Sequence, residues 1–153
     1  MKNVFYYNLP IGKIKIADNG TAITDIYTIK EIKKDENLIE TDLIKKAHIQ
    51  LVEYFEKKRT EFDLPLYFEG TDFQKKVWEA LINIPYGITR TYKQIAEEIG
   101  CPKGCRAVGN ANNKNKVMIV VPCHRVIGTN GALVGYAGGL DLKQTLLTIE
   151  KNI

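Results

Sequence analysis

The chain has 153 residues, 44% of them apolar and 26% charged, with a net charge of +4. That length supports one solid domain or two small ones; no apolar run approaches the ~20 residues of a membrane helix, and no signal-peptide core opens the sequence, so a cytoplasmic protein without membrane partners is expected. Three cysteines, an odd number, argue against a disulfide framework, and their spacing lacks the paired halves of a zinc site, so neither metal nor other cofactor is expected.

The first third reads as strands and turns. "VFYYNLP", "GKIKIADNG" and "TAITDIYTIK" are β-branched and aromatic runs separated by Pro-Ile-Gly and Asp-Asn-Gly turn signals, a meander pattern. Thr41 to Arg59 then has helical spacing, with Ile44, Ala47, Leu51 and Phe55 on one stripe and His48 at its edge. "EFDLPLYFEG" is a proline-interrupted extended segment, expected to link two units, residues 1–69 and 70–153.

From Gly70 the texture is helical. "TDFQ" and "TYKQ" are capping-box patterns, Thr71 with Gln74 and Thr91 with Gln94. Phe73, Val77, Ala80, Leu81 and Ile84 form the apolar stripe after the first, ended by Pro85-Tyr86-Gly87. Ile95, Ala96 and Ile99 follow the second, with Gly100 placed to close the helix. Pro102 is expected to open a third helix through "KGCRAVGNANN", whose small residues permit close approach to a neighbour or to a nucleic-acid backbone. The two short helices make a helix-turn-helix pattern. Residues 1–69 carry a net charge of −1 and residues 70–153 one of +5, so the second part is the surface that would meet a polyanion.

"VMIVV", residues 117–121, reads as a short buried strand with "PCHRV" at its exit and a glycine-rich loop, "GTNGALVGYAGG", beyond. Asp141 is expected to cap a last helix with Leu142, Leu146 and Ile149 facing inward and Glu150 beside that stripe. The fold class is mixed α+β: a small strand-rich part with one helix, then a helical part with an active-site turn after a short strand.

Cys123 and His124 are the chemically pointed pair. A thiol with pKa ≈ 8.5 is only a few per cent ionised at neutral pH and needs a base. Adjacent side chains on an extended strand point to opposite faces, so a Cys123–His124 relay requires a turn or an intervening water. A histidine base also needs its second nitrogen held, and Glu150 is the carboxylate in reach. The pattern alone would serve an acyl transferase, a cysteine hydrolase or an alkyl transferase.

Three segments, "GTDFQKKVWEALINIPYGITRTYKQIAEEIG", "CRAVGNANNKN" and "VVPCHRVIGTNGALVGYAGGLDLKQTLLTIE", resemble the O6-alkylguanine-DNA alkyltransferases over nearly all of residues 70–150. Residues 1–69 match only loosely, as the ribonuclease H-like, strand-rich domain often found in that family. The resemblance implies a winged-helix-like, helix-turn-helix DNA-binding domain. It implies direct, irreversible transfer of the alkyl group from O6-alkylguanine in double-stranded DNA to Cys123, with O4-alkylthymine left open as a second substrate. His124 would take the thiol proton through a water, and Glu150 would orient His124. Asn115 would tie the turn, and Tyr92 would protonate the departing guanine. Arg106 would enter the base stack, with Lys103, Ala107, Gly109, Tyr92 and Arg125 also facing DNA. Val126, Tyr136, Ala137, Gly138 and Lys143 would line the guanine pocket. Such a protein is expected to act as a monomer.

Lys116 stands where the family commonly has proline, and Ala137 where serine is common, so substrate preference is expected to shift. The main alternative is a non-enzymatic binder of alkylated DNA, of the alkyltransferase-like type, which lacks the acceptor cysteine. A helix-turn-helix regulator would need a sensor domain or a longer recognition helix.

Overall fold

The computed structural model describes residues 2–34, 36–132, 136 and 138–151. They fall into two compact units that divide between Phe68 and Glu69, and the fold class is α+β as the sequence implies.

In the first unit β1 (Asn3–Leu9), β2 (Gly12–Asp18) and β3 (Ile23–Thr28) form the antiparallel meander, and β4 (Asn37–Leu38) adds to β1 in parallel, giving the order β3-β2-β1-β4. Helix α1 (Asp42–Phe55) covers β1 and β2 and buries Ile44, Ala47 and Leu51 against Val4, Ile14 and Ile16. Thr41 caps it, accepting from the Ile44 amide while donating to the buried Asp18 carboxylate, which also accepts from Asn3 and the Gly20 amide. The helix stops short of Arg59 because Lys57 turns into the left-handed region at φ 61°. The segment read as a linker is extended, but its middle belongs to this unit. Ile23 and Leu66 form a parallel bridge along it, with the Ile23 amide donating to Pro65 O at 2.8 Å and the Tyr67 amide to Ile23 O at 2.9 Å.

The second unit begins with α2 (Asp72–Ile82) and contains α3 (Tyr92–Glu98), and both start in complete capping boxes, at Thr71/Gln74 and Thr91/Gln94. Each box satisfies two backbone donors that a helix N-terminus otherwise leaves open. Gly100, at φ 79°, closes α3. Pro102 does not open the next helix. Residues 101–104 form a turn, closed by the Gly104 amide on Cys101 O at 2.8 Å, and α4 runs Cys105–Asn113. A proline's fixed φ suits that turn as well as it suits a first helical position. Helix α4 packs on α2 and α3, and Trp78 Nε1 donates to Ala111 O at 2.8 Å, fixing its register.

The expectation that fails most clearly is the strand at 117–121. "VMIVV" folds as a tight apolar turn: the Val121 amide returns to Val117 O at 3.0 Å, and Ile119 sits at φ 72°. A run of buried apolar residues satisfies a strand and a buried turn equally, so periodicity could not separate them. Beyond it, Cys123–Arg125 make one 3-10 turn, and β6 (Val126–Ile127) pairs in parallel with β5 (Arg90–Thr91). The last helix, α5 (Leu140–Lys151), starts before Asp141, which lies in its first turn and is not its cap. Its buried face is Lys143, Leu146, Leu147 and Glu150; Leu142 and Ile149 are only partly covered. Among the described residues no helix is long and apolar enough to cross a membrane.

Candidate active site

Asn115 builds the turn that presents the cysteine. Its Oδ1 accepts from the Val117 amide at 2.9 Å, and its Nδ2 donates to Val121 O at 2.9 Å and Val117 O at 3.3 Å. These bonds hold Ile119 in a conformation that β-branched residues rarely adopt. Pro122 then leads into the 3-10 turn, where successive side chains diverge by roughly a third of a revolution. Cys123 and His124 therefore do not point to opposite faces, as they would on a strand.

Glu150 is the hub of the site. It is 1% exposed, and its carboxylate accepts from His124 Nε2 at 2.6 Å, Arg125 Nε at 2.8 Å, Arg125 Nη2 at 3.1 Å and the Gly87 amide at 3.2 Å. Burial alone would raise this carboxyl, but the His124 and Arg125 bonds and the arginine's charge outweigh it and hold the pKa at about 2. An ionised Glu150 requires a proton on Nε2, so the neutral imidazole carries its lone pair on Nδ1. Burial pushes the His124 pKa down, opposed by Glu150 and assisted by the charges of Arg125 and Lys143. At neutral pH His124 is then an uncharged base with its accepting nitrogen buried and without a partner among the described residues.

Burial also pushes the Cys123 thiol up, while hydrogen bonds from Asn115 and Tyr136 and the charge of Lys143 pull the other way. Lys143 is wholly buried, donates to Val126 O at 2.6 Å and lies 5.8 Å from the centre of the Tyr92 ring. Its pKa is lowered to about 8 by burial, with the Cys123 sulfur favouring its charge. Burial, then the nearby Cys123, raise the Tyr92 phenol, so it holds its proton at neutral pH. The site thus contains a buried thiol, a neutral base with its orienting carboxylate, a buried cation and a proton-bearing phenol.

The residues expected at the site separate cleanly. Cys123, His124, Glu150, Asn115, Tyr92, Tyr136 and Lys143 are brought together. Val126 is buried and contributes its carbonyl to Lys143. Gly138 is required by packing, because a Cβ there would lie 2.7 Å from both the Met118 methyl and a Leu142 methyl. Ala137 lies outside the described residues. On α4, Arg106 and Ala107 are exposed, as is Lys103 before it, whereas Gly109 faces the Tyr92 ring and Ala111 is buried. Arg125 does not face outward. Its guanidinium is consumed inside by Glu150 and by Ile84 O at 2.6 Å, with the Tyr86 ring 5.7 Å away. A cation beside the nucleophile in sequence reads as a phosphate contact, but burial makes it the partner of a carboxylate.

Two residues escaped the sequence reading. Trp78 anchors α4, and Asn112 donates from Nδ2 to the Cys123 carbonyl at 3.3 Å. The signal was available for Asn112: it shares the inward stripe of Val108 and Ala111, the kind of position that singled out Glu150.

Comparison with known proteins agrees over the whole chain. The family model for the 6-O-methylguanine DNA methyltransferase DNA binding domain matches residues 72–152, and that for the ribonuclease-like domain of the same family matches residues 4–68. A methylated-DNA–protein-cysteine methyltransferase of Methanosarcina barkeri is 50% identical over 96% of this chain and 98% of its own. One from Mycobacterium leprae is 45% identical over 94% of this chain and 88% of its own. The crystal structure of Mycobacterium tuberculosis OGT in complex with DNA superposes with a TM-score of 0.88 at 44% identity, covering 95% of this chain and 91% of that one. On this sequence and structural evidence, the chain belongs to the 6-O-methylguanine DNA methyltransferase family.

Proposed function

We propose that the protein repairs DNA by moving the alkyl group of O6-alkylguanine irreversibly onto its own Cys123. The observation that carries this reading is the buried Cys123 thiol set between Asn115, Tyr136 and Lys143, next to a neutral His124 held by Glu150. The names of its relatives and the DNA complex of the Mycobacterium tuberculosis protein support it.

The thiol proton passes through a water to His124 Nδ1, and the imidazolium formed is stabilised by Glu150. The thiolate attacks the alkyl carbon, a C–S bond forms, and the C–O6 bond breaks with its electron pair left on O6. Tyr92 delivers a proton to the departing guanine and is reprotonated from the imidazolium, so the site ends neutral with a thioether in place of the thiol. A thioether is not hydrolysed, and each molecule acts once. The base must leave the stack to reach a buried sulfur. Arg106, Lys103 and Ala107, exposed on and before α4, are the surface offered to the duplex, with phosphate contacts supplying salt-dependent affinity. In this reading residues 70–153 carry DNA binding and transfer, residues 1–69 are a ribonuclease H-like domain, and the protein works as a cytoplasmic monomer.

The test is intact-protein mass spectrometry after incubation with a duplex carrying one O6-methylguanine. Wild type should gain one methyl, located to Cys123, and Cys123→Ser should gain none. Binding without a mass gain would leave a lesion sensor and overturn the transfer reading.

A further inference from the structure

Two buried acceptors in the second unit have no partner among the described residues: His124 Nδ1 and Asn112 Oδ1. A buried acceptor without a donor is costly, and such groups ordinarily bind an ordered water. The two belong to one neighbourhood. Asn112 is 1% exposed and donates from Nδ2 to the carbonyl of Cys123, the group that joins Cys123 to His124. That bond also fixes which way the amide points. Only its NH2 end can face a carbonyl, so Oδ1 is turned away into the interior.

We infer that Asn112 is a positioning residue for the proton relay, its Oδ1 accepting one hydrogen of the water that links the Cys123 thiol to His124 Nδ1. This rests on the transfer reading above and adds a residue to it. A water has two hydrogens and must direct one of them at Nδ1 while accepting the thiol proton. With the other hydrogen held by Asn112 Oδ1, its lone pair is turned toward Cys123 Sγ. The S–H proton then moves to the water oxygen as the water's proton moves to Nδ1, leaving thiolate, water and imidazolium. No proton is lost or gained by Asn112.

The placement also joins docking to chemistry. Asn112 is on the inward side of α4, whose outward side carries Arg106, Ala107, Asn110 and Asn113. Trp78 holds the preceding carbonyl, Ala111 O. A duplex pressing on α4 therefore bears on a helix whose inner face touches the backbone of the nucleophile.

The experiment is single-turnover methyl transfer from an O6-methylguanine duplex, with the full-length protein in saturating excess so that affinity does not enter the rate, measured from pH 6 to 9. Wild type, Asn112→Leu and Asn112→Ser are compared, with DNA affinity taken separately. The titratable and charged groups facing the relay are Cys123, Lys143, Tyr92, Tyr136, Glu150 and Arg125, and none of them is altered. Asn112→Leu should be slowed roughly tenfold at pH 7, the worth of one orienting hydrogen bond. Its rate should rise toward wild type at high pH, where hydroxide can remove the thiol proton directly. Asn112→Ser, whose hydroxyl is too short to hold an acceptor where Oδ1 stood, should show the same slowing and the same recovery at high pH. A purely structural role would lower the rate or the DNA affinity equally at every pH.

If Asn112→Leu does not fold, the pH dependence of Asn112→Ser against wild type decides. An unshifted pH profile in a folded variant that lacks the acceptor overturns the inference and leaves the transfer reading standing. Failure of wild type to take the methyl group overturns both.

Discussion

Arg125 grips Glu150 with two nearly parallel bonds, Nε to Oε1 at 2.8 Å and Nη2 to Oε2 at 3.1 Å. The pair is buried, so removing one partner strands the other. Arg125→Met should destabilise the protein by about 3–5 kcal/mol, the usual cost of breaking such a pair, read as a lower urea midpoint. Its DNA binding should keep the wild-type salt dependence. Arg106→Ala should behave oppositely, with stability near wild type and a log affinity–log salt slope shallower by about 0.9. Equal loss of slope in both variants would mean that Arg125 reaches a phosphate after all.

Acid should weaken the protein through Glu150. Its folded pKa, about 2, lies below the unfolded value of 4.5, so the folded state binds its proton less readily. The resulting stability is complete above the unfolded value and is lost as pH falls from about 4.5 through 2. The stability gap between wild type and Glu150→Gln, measured by urea unfolding at pH 7, 5, 4 and 3, is expected to narrow across that window. Glu150→Gln should also slow methyl transfer by roughly 10²-fold, since it removes the charge that stabilises the imidazolium.

Lys143 adds a second rise of stability with pH, in an alkaline window, because here burial disfavours the charged form. Its pKa falls from 10.5 to about 8 in the folded protein, so between those values the unfolded chain holds a proton that the folded chain has released. Stability must rise with pH across that interval. Wild type should therefore gain stability relative to Lys143→Met as pH climbs from 8 to 10. At pH 7 Lys143→Met should transfer methyl more slowly, having lost the cation that favours the thiolate. A flat stability difference from pH 7 to 10 would refute the assignment of a strained, buried ammonium.

Asn115→Ala should loosen the turn that presents Cys123. It removes the side-chain bonds to Val117 and Val121, at about 1 kcal/mol each plus the cost of the buried groups left open. Ile119→Gly would relieve the left-handed strain yet lose a buried side chain, so it too should be less stable than wild type. Thermal unfolding of both variants measures this, and a more stable Ile119→Gly would show that strain outweighs packing here.

The sequence carried the local signals well. Both capping boxes, the closing Gly100 and the meander are written in short-range chemistry, and the structure realises them. It carried the His124–Glu150 pairing too, because a carboxylate beside an apolar helical stripe demands a partner. What it could not carry was long-range or side-chain-dependent. The turn at 117–121 depends on three bonds from the single Asn115 side chain, which leave no mark on an apolar pattern. Arg125 meets its partner 25 residues away and Ile84 O 41 residues away, and nothing local distinguishes such an arginine from one that touches phosphate.

A methylated Cys123 would place an extra carbon on a residue that is only 2% exposed. It would also exchange a thiol that Asn115 and Tyr136 address for a bulkier and weaker acceptor. Overfilling a close-packed interior typically costs about 1–3 kcal/mol, enough to raise the unfolded fraction severalfold and expose the chain to proteolysis. The used molecule would then be physically unlike the fresh one, and a cell's proteases could clear it without any dedicated label.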